Sequence, residues 1–333
     1  MSDLVRSMGA QGLKVLLIDV DSTIPNLALM KISAYEKSKG NQVGFNIADP
    51  DKVYCSIIFD WNKHKADGLK FLYPNAQIDI GGGGYDLHKQ LAPEIDSMAP
   101  DYSLYPDCDY DLGFTTRGCI RNCPFCIVRE KEGSFRIYKH PSEFHHPDHK
   151  GIVLMDNNIL ADKDWFFVVT NWILENDLKV DFNQGLDIRL VDEEIAERIK
   201  QLKPLNYWRF AFDSLGYENS VRVGIELLNK AGVNLRSKSL WYVYTDGDSD
   251  FDNALKRCEI LRSLGVMPYP MFNRHAKRTQ RLTNLKRWCR PWIFFKVDWS
   301  EYQQNNTRQK GTGIGATPLV QNSGISTGGL SLD

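Results

Sequence analysis

No apolar run in this chain approaches the roughly 18 residues that a membrane-spanning helix requires, so no membrane partner is expected. An excess of one charge is also missing. The 41 Lys and Arg residues against 42 Asp and Glu leave a formal charge of −1, which argues against a surface coated in positive charge for nucleic acid but leaves a local patch open. The opening segment MSDLVRSMGAQG has neither the basic region nor the apolar core of a secretory signal. Cysteine is scarce and odd in number: seven in 333 residues do not make a disulfide framework. The expectation is reduced thiols in a cytoplasmic protein. Their distribution is uneven, since three of the seven fall within eight residues.

What is present is the alternation of an α/β chain. Leu13 to Ile18 is a continuous apolar run of strand length, followed by a helical pattern from Leu27 that ends near Gly40. Further strand-like runs cover Val53 to Phe59 and Ala76 to Ile80, the latter leading into Gly81-Gly82-Gly83-Gly84. Such glycines permit a sharp turn or close approach to a ligand. Residues 92–110, rich in Pro, Asp and Tyr, read as a linker. Strands are then expected near 110–115, 151–155, 178–183, 207–212, 240–245 and 266–272, with helices near 162–176, 191–202, 217–231 and 251–264. Six strand–helix repeats without hairpin signals imply a partial or complete parallel β/α barrel, whose chemistry sits at the carboxyl ends of its strands. The polar, Gly/Ser/Thr-rich tail, 301–333, is expected to be disordered.

The spacing Cys119-Ile-Arg-Asn-Cys123-Pro-Phe-Cys126 places three thiols on one loop. Structural zinc would need a fourth ligand, for which Cys108 and His145, His146 and His149 are candidates, but no second CxxC-like half-site is present. A cubane iron–sulfur cluster normally takes four cysteines, so three would leave one iron open to a small molecule. CxxxCxxC with an aromatic, Phe125, before the last Cys resembles the signature of the radical S-adenosylmethionine (SAM) enzymes. The resemblance implies a [4Fe-4S] cluster on Cys119, Cys123 and Cys126, with SAM on the fourth iron. It further implies reductive cleavage to a 5′-deoxyadenosyl radical that abstracts hydrogen from a substrate, and an external flavodoxin- or ferredoxin-like electron donor. A non-catalytic iron–sulfur or zinc protein stands as an alternative.

In that family the cysteine loop follows the first strand of a partial (β/α)6 barrel, as it here follows Leu112 to Thr116. The second strand ends in the family in a polar motif for the SAM amino group; here Asp156-Asn157-Asn158 departs from the usual Gly-Gly-Glu but offers oxygen acceptors. Gln184 and Arg189 are expected at the mouth, with Arg189 suited to the SAM carboxylate. Asp213 is a candidate for a ribose hydroxyl or a helix cap. The implied organisation is a flavodoxin-like domain over 1–100, resembling the cobalamin-binding-type domain of one radical SAM branch, then a barrel over 101–300. The cobalt-ligating histidine of that domain has no counterpart in Asp19-Val20-Asp21-Ser22-Thr23-Ile24, so bound cobalamin is not expected.

Another resemblance competes. Asp19-Val20-Asp21-Ser22-Thr23 after an apolar strand is similar to the nucleophile motif of haloacid-dehalogenase-type phosphatases, and Gly247-Asp248 to Asp252 to their magnesium motif. That reading requires the cysteine loop to be an insertion, and Asp248 to Asp252 also suit a helix cap. From Arg274 to Arg290 there are seven Lys and Arg and no acid, interleaved with Trp288. A solvated basic helix is the preferred reading, and contact with nucleic acid the alternative. His145, His146 and His149 read as a surface loop, and Cys55, Cys258 and Cys289 as buried thiols.

Overall fold

In the computed structural model, which describes residues 12–303, the first apolar run forms β1 (Lys14–Asp19). Val15, Leu16 and Leu17 are buried in it. Asn26 then caps α1 (Leu27–Ser38), its side-chain oxygen accepting from the Leu29 amide at 3.2 Å. β2 (Gln42–Gly44), β3 (Lys52–Ser56), α2 (Leu69–Leu72) and β4 (Gln77–Gly81) follow. The four strands form one wholly parallel sheet in the order β2-β1-β3-β4. The strand order reverses between β1 and β3, the position at which α/β sheets open a crevice beyond their carboxyl ends.

The segment over 92–110 is fastened to α1 rather than left as a linker. It contains α3 (Pro93–Asp96). Asp96 pairs with the buried Lys31 at 2.7 Å, and Asp101 accepts from Ser33 at 2.6 Å and pairs with Lys37 at 2.7 Å. β5 (Tyr110–Gly113), β6 (Thr116–Arg117), α4 (Val128–Lys131) and β7 (Arg136–Ile137) complete this part of the chain. β6 and β7 form a short antiparallel ladder, Thr116 opposite Ile137 and Arg117 opposite Arg136, where no hairpin was expected.

The chain divides into two compact units between Gly151 and Ile152, so the described residues fall into 12–151 and 152–303. β8 (Gly151–Leu154) leads into the second unit, followed by α5 (Lys163–Glu175), β9 (Lys179–Phe182), α6 (Glu193–Gln201), β10 (Lys203–Pro204) and β11 (Trp208–Ala211). Then come α7 (Glu218–Lys230), α8 (Leu235–Lys238), β12 (Ser239–Thr245), α9 (Phe251–Ser263), β13 (Pro268–Phe272) and α10 (Gln280–Trp288).

β9 adjoins β8, its early part pairs in parallel with the two-residue β10, and just beyond its end Leu186 bridges in parallel to Phe210 of β11. β11, β12 and β13 pair in parallel in that order. α6 illustrates why these helices form where they do. Asp192 caps it by accepting from the Ile195 amide at 2.9 Å, two glutamates open its first turn, and Ile195, Ala196 and Ile199 bury one face. The fold is therefore mixed α/β with parallel sheets. No described helix is long and apolar enough to cross a membrane. Of the expected tail, residues 304–333 lie outside the described residues.

Candidate functional site

The cysteine loop leaves β6 and returns through α4 to β7. Its base is pinned by backbone geometry. Gly118 has φ +73°, and a Cβ there would meet the Ser134 carbonyl oxygen at 2.2 Å. Only glycine allows both the left-handed turn and this approach. Arg117 and Glu132, both largely buried, form an ion pair at 3.1 Å across the same base. Arg129 donates to the Cys119 carbonyl at 3.1 Å and to Ser134 Oγ at 3.3 Å, tying α4 to the first cysteine. The sequence reading missed Gly118, Arg117 and Arg129; a glycine directly before the first cysteine was the visible signal.

Cys119 and Cys123 are half-buried and Cys126 is exposed. The Arg121 amide donates to Cys119 Sγ at 3.3 Å, and Cys126 N donates to the Cys123 carbonyl at 3.0 Å. Ile120, Phe125 and Ile127 present exposed apolar side chains between the cysteines. This donor set fits an iron–sulfur cluster: soft ligands on one loop, an amide directed at sulfur, and apolar neighbours able to exclude water. Among the described residues no three His, Cys, Asp or Glu side chains are already grouped as metal ligands; a metal commonly orders its own ligands on binding.

The candidate fourth zinc ligands have other commitments. Cys108 donates its thiol to the Tyr110 carbonyl at 3.2 Å, and burial, ahead of the neighbouring Asp109 and Asp111 carboxylates, pushes its pKa up. The histidine segment is not a plain surface loop. Asp111 of β5 is completely buried and accepts from His145 Nδ1 at 2.6 Å, His149 Nδ1 at 2.9 Å and the His146 amide at 2.8 Å.

The glycine loop after β4 is explained by close packing. A Cβ on Gly82 would meet the Ile57 carbonyl oxygen at 2.2 Å, and one on Gly84 the Phe59 carbonyl carbon at 2.4 Å. Next to it, Gln90 Nε2 reaches the Lys131 carbonyl at 3.3 Å and His88 lies 3.3 Å from Glu130, so this loop buttresses α4. At the end of β1, Asp21 accepts from the Ile58 and Phe59 amides at 2.7 and 3.0 Å and from Asn62 at 2.9 Å. Asp19 accepts from the Ser22 amide at 3.2 Å and the Tyr105 hydroxyl at 2.8 Å.

In the second unit, the predicted residues collect at the carboxyl ends of the strands. After β8, Asp156 and Asn158 are buried, and Asn157 Oδ1 is buried with no hydrogen-bond partner among the described residues. Such an acceptor costs on the order of 1–3 kcal/mol unless a ligand or water satisfies it. Asn158 Nδ2 donates to Asp187 at 3.3 Å. Asp187 in turn takes both Nε and one terminal nitrogen of Arg189, at 2.6 and 3.0 Å. The Arg189 guanidinium lies 4.7 Å from the Tyr217 ring centre. The Tyr217 hydroxyl accepts from the Asp213 amide at 3.0 Å, while Asp213 Oδ1 accepts from the Tyr244 amide at 2.8 Å.

Burial drives the Asp213 pKa up, against the Tyr244 amide and the Arg257 and Arg189 charges. The buried Arg257 donates to the Tyr244 carbonyl at 2.8 Å and pairs with Asp250 at 2.7 Å. Asp156 to Asn158, Arg189 and Asp213 thus belong to one group of strand ends. Gln184 is exposed after β9 and donates to its neighbour Asn183 at 3.1 Å. The acidic run Asp248 to Asp252 is occupied within its own unit: Asp248 accepts from Thr279 at 2.7 Å and Asp252 pairs with Arg281 at 2.9 Å.

No family model matches the chain, and no curated protein matches it.

Proposed function

We propose that the protein is a radical SAM enzyme that holds a [4Fe-4S] cluster on Cys119, Cys123 and Cys126. The observation that carries this reading is the cysteine loop: three thiols in CxxxCxxC spacing on a loop pinned by Gly118 and Arg129, with Phe125 exposed beside the last of them. The parallel order β2-β1-β3-β4 supports a flavodoxin-like first part. The sequential run of parallel strands from β9 through β11 to β13 supports a partial barrel, whose reactive face is the carboxyl ends of the strands.

When bound, cluster and SAM together would supply reductive cleavage of the sulfonium and hydrogen abstraction from a substrate. The chain's own residues bind, orient and exclude water. The Arg121 amide donates to Cys119 Sγ, and the exposed Ile120, Phe125 and Ile127 would supply apolar cover to a bound cluster. Asp156 and the unsatisfied Asn157 Oδ1 are acceptors suited to the ammonium of SAM. Arg189, its fork held on Asp187, is the candidate cation for the SAM carboxylate. Asp213, which holds the Tyr244 amide, is the candidate acceptor for a ribose hydroxyl. Electrons would come from an external flavodoxin- or ferredoxin-like donor.

Anaerobic reconstitution with iron and sulfide tests the reading. About four irons per chain and dithionite-dependent release of 5′-deoxyadenosine from SAM are expected, both lost in Cys123→Ala. A reconstituted protein that takes up zinc alone and never cleaves SAM overturns it.

A further inference from the structure

Residues 274–290 hold seven Lys and Arg without an acid, and the structure sorts them. α10 packs on α9 and β13 through the buried Leu282, Leu285 and Trp288, so the charges on its opposite side face solvent. Arg281 is neutralised by Asp252 at 2.9 Å, with Asp248 at 3.8 Å. Lys277, Arg278, Arg287 and Arg290 are exposed, and among the described residues none of them pairs with a carboxylate. Four uncompensated cations within 14 residues of a chain with net charge −1 concentrate positive charge on this segment. They repel one another until an anion covers them.

Aromatic rings accompany the charges. Trp288, the tryptophan within the run, is completely buried, its indole N–H donating to the Val297 carbonyl at 2.8 Å, and offers no face to a ligand. Trp292, two residues beyond Arg290, is instead 60% exposed, with the Arg290 guanidinium 5.4 Å from its ring. Arg278 stands 5.4 Å from the Phe272 ring at the end of β13. A cationic track with an open indole face is the combination that recognises unpaired nucleic acid, phosphates on the cations and a base on the ring. A duplex offers the cations its phosphates but keeps its base faces stacked inside. The neighbouring cavity of about 600 Å³ is a poor alternative for a polyanion, since its Arg236 and Arg262 are balanced by Glu259 and Asp298.

We propose that this face binds single-stranded nucleic acid, with phosphates on Lys277, Arg278, Arg287 and Arg290 and an unpaired base on Trp292. The inference is independent of the cysteine loop, and its test uses the full chain without reconstitution. Fluorescence anisotropy with end-labelled oligonucleotides of roughly 20 nucleotides, longer than one domain typically covers, compares RNA, single-stranded DNA and a duplex. Single strands should bind more tightly than duplex, and the RNA and DNA arms identify which sugar is preferred.

The variant K277E/R278E/R287E/R290E should flatten the slope of log affinity against log salt by roughly 3, at about 0.7 per lost phosphate contact. W292A should weaken single strands about 5- to 100-fold, the range of one lost stacking contact, and leave duplex binding unchanged. All five side chains are exposed, and circular dichroism checks that both variants fold. K203E/K230E, which removes exposed lysines elsewhere on the second unit, should bind as the parent does. The proposal fails if the quadruple variant binds as tightly as the parent or if W292A is silent. It also fails if phosphatidylserine vesicles bind while oligonucleotides do not.

Discussion

The Tyr105 hydroxyl donates to Asp19 Oδ2 at 2.8 Å, joining the segment after α3 to the carboxyl end of β1. Two residues on, Asp21 spends both carboxylate oxygens on the Ile58 and Phe59 amides and on Asn62. Of the phosphatase-like motif, Asp21 thus holds the loops after β1 and β3 together and Asp19 holds the segment after α3 to β1. Asp21→Ala should lower the unfolding free energy by about 2 kcal/mol, the usual cost of abandoning amides that a charged acceptor had satisfied, as read from urea titrations. Asp19→Asn should leave background hydrolysis of p-nitrophenyl phosphate unchanged; a magnesium-dependent, vanadate-sensitive activity lost in that variant would restore the phosphatase reading.

Glu36 of α1 is fully buried and accepts from Tyr54 at 2.7 Å, Lys52 at 2.9 Å and Asn41 at 2.5 Å. Burial alone would raise its pKa, but the hydrogen bonds from Tyr54, Lys52 and Asn41 outweigh it and hold the carboxyl below its ordinary value. A depressed folded pKa means that this stabilisation is present above the unfolded-state glutamate value and is lost as pH falls through the folded one. Glu36→Gln should therefore cost about 2–4 kcal/mol at neutral pH, since it strands Lys52. The gap to the parent should close as pH drops below the ordinary glutamate range, measured by denaturant titration at each pH. A gap that stays constant with pH would refute the assignment.

Gly118 ties the fold to the proposed cluster. An alanine there must leave φ +73° or push against the Ser134 carbonyl, 2.2 Å from its Cβ, and either shift splays the base of the cysteine loop. Gly118→Ala should cut iron loading on reconstitution well below half of the parent value. Gly133 also sits at positive φ, but a Cβ there meets nothing within 4 Å. Gly133→Ala should consequently retain more iron than Gly118→Ala, and the iron contents of the two variants separate a steric fault from a purely conformational one.

These residues also mark where the sequence is legible. β1, β8, β9, β11, β12 and β13 lie where apolar runs of strand length predict them, and α5, α6, α7 and α9 follow the helical periodicity, because each buries a face of its own. The two-residue strands β6, β7 and β10 exist only through their partners, so no local pattern announces them. The histidine segment looked like a surface loop because its anchor, Asp111, lies 34 residues upstream of His145. The 92–110 segment has a linker's composition, yet Asp96 and Asp101 find Lys31, Ser33 and Lys37 on α1. In the candidate site the cysteine spacing was readable. The capture of the Arg189 fork by Asp187, two residues before it, was not, since the same Arg-and-Asp composition suits a ligand contact equally well.

Asp213 brings stability and the proposed chemistry into opposition. Its pKa is raised, first by burial, with the Tyr244 amide and the Arg257 and Arg189 charges only partly offsetting it. For a carboxylate with a raised folded pKa, the folded state gains relative stability at low pH and loses it as pH rises through that pKa. Asn in its place keeps an oxygen for the Tyr244 amide, 2.8 Å away in the parent, without burying a charge. Asp213→Asn should thus match the parent under acidic conditions and become the more stable of the two as pH rises to neutral, in denaturant titrations over that range. If the carboxylate also takes a ribose hydroxyl, the same variant should bind SAM about tenfold or more weakly in equilibrium dialysis, the loss expected when a hydrogen bond to a charged acceptor becomes a neutral one. Greater stability with unchanged SAM affinity would remove Asp213 from the site and leave it as the brace between β11 and β12.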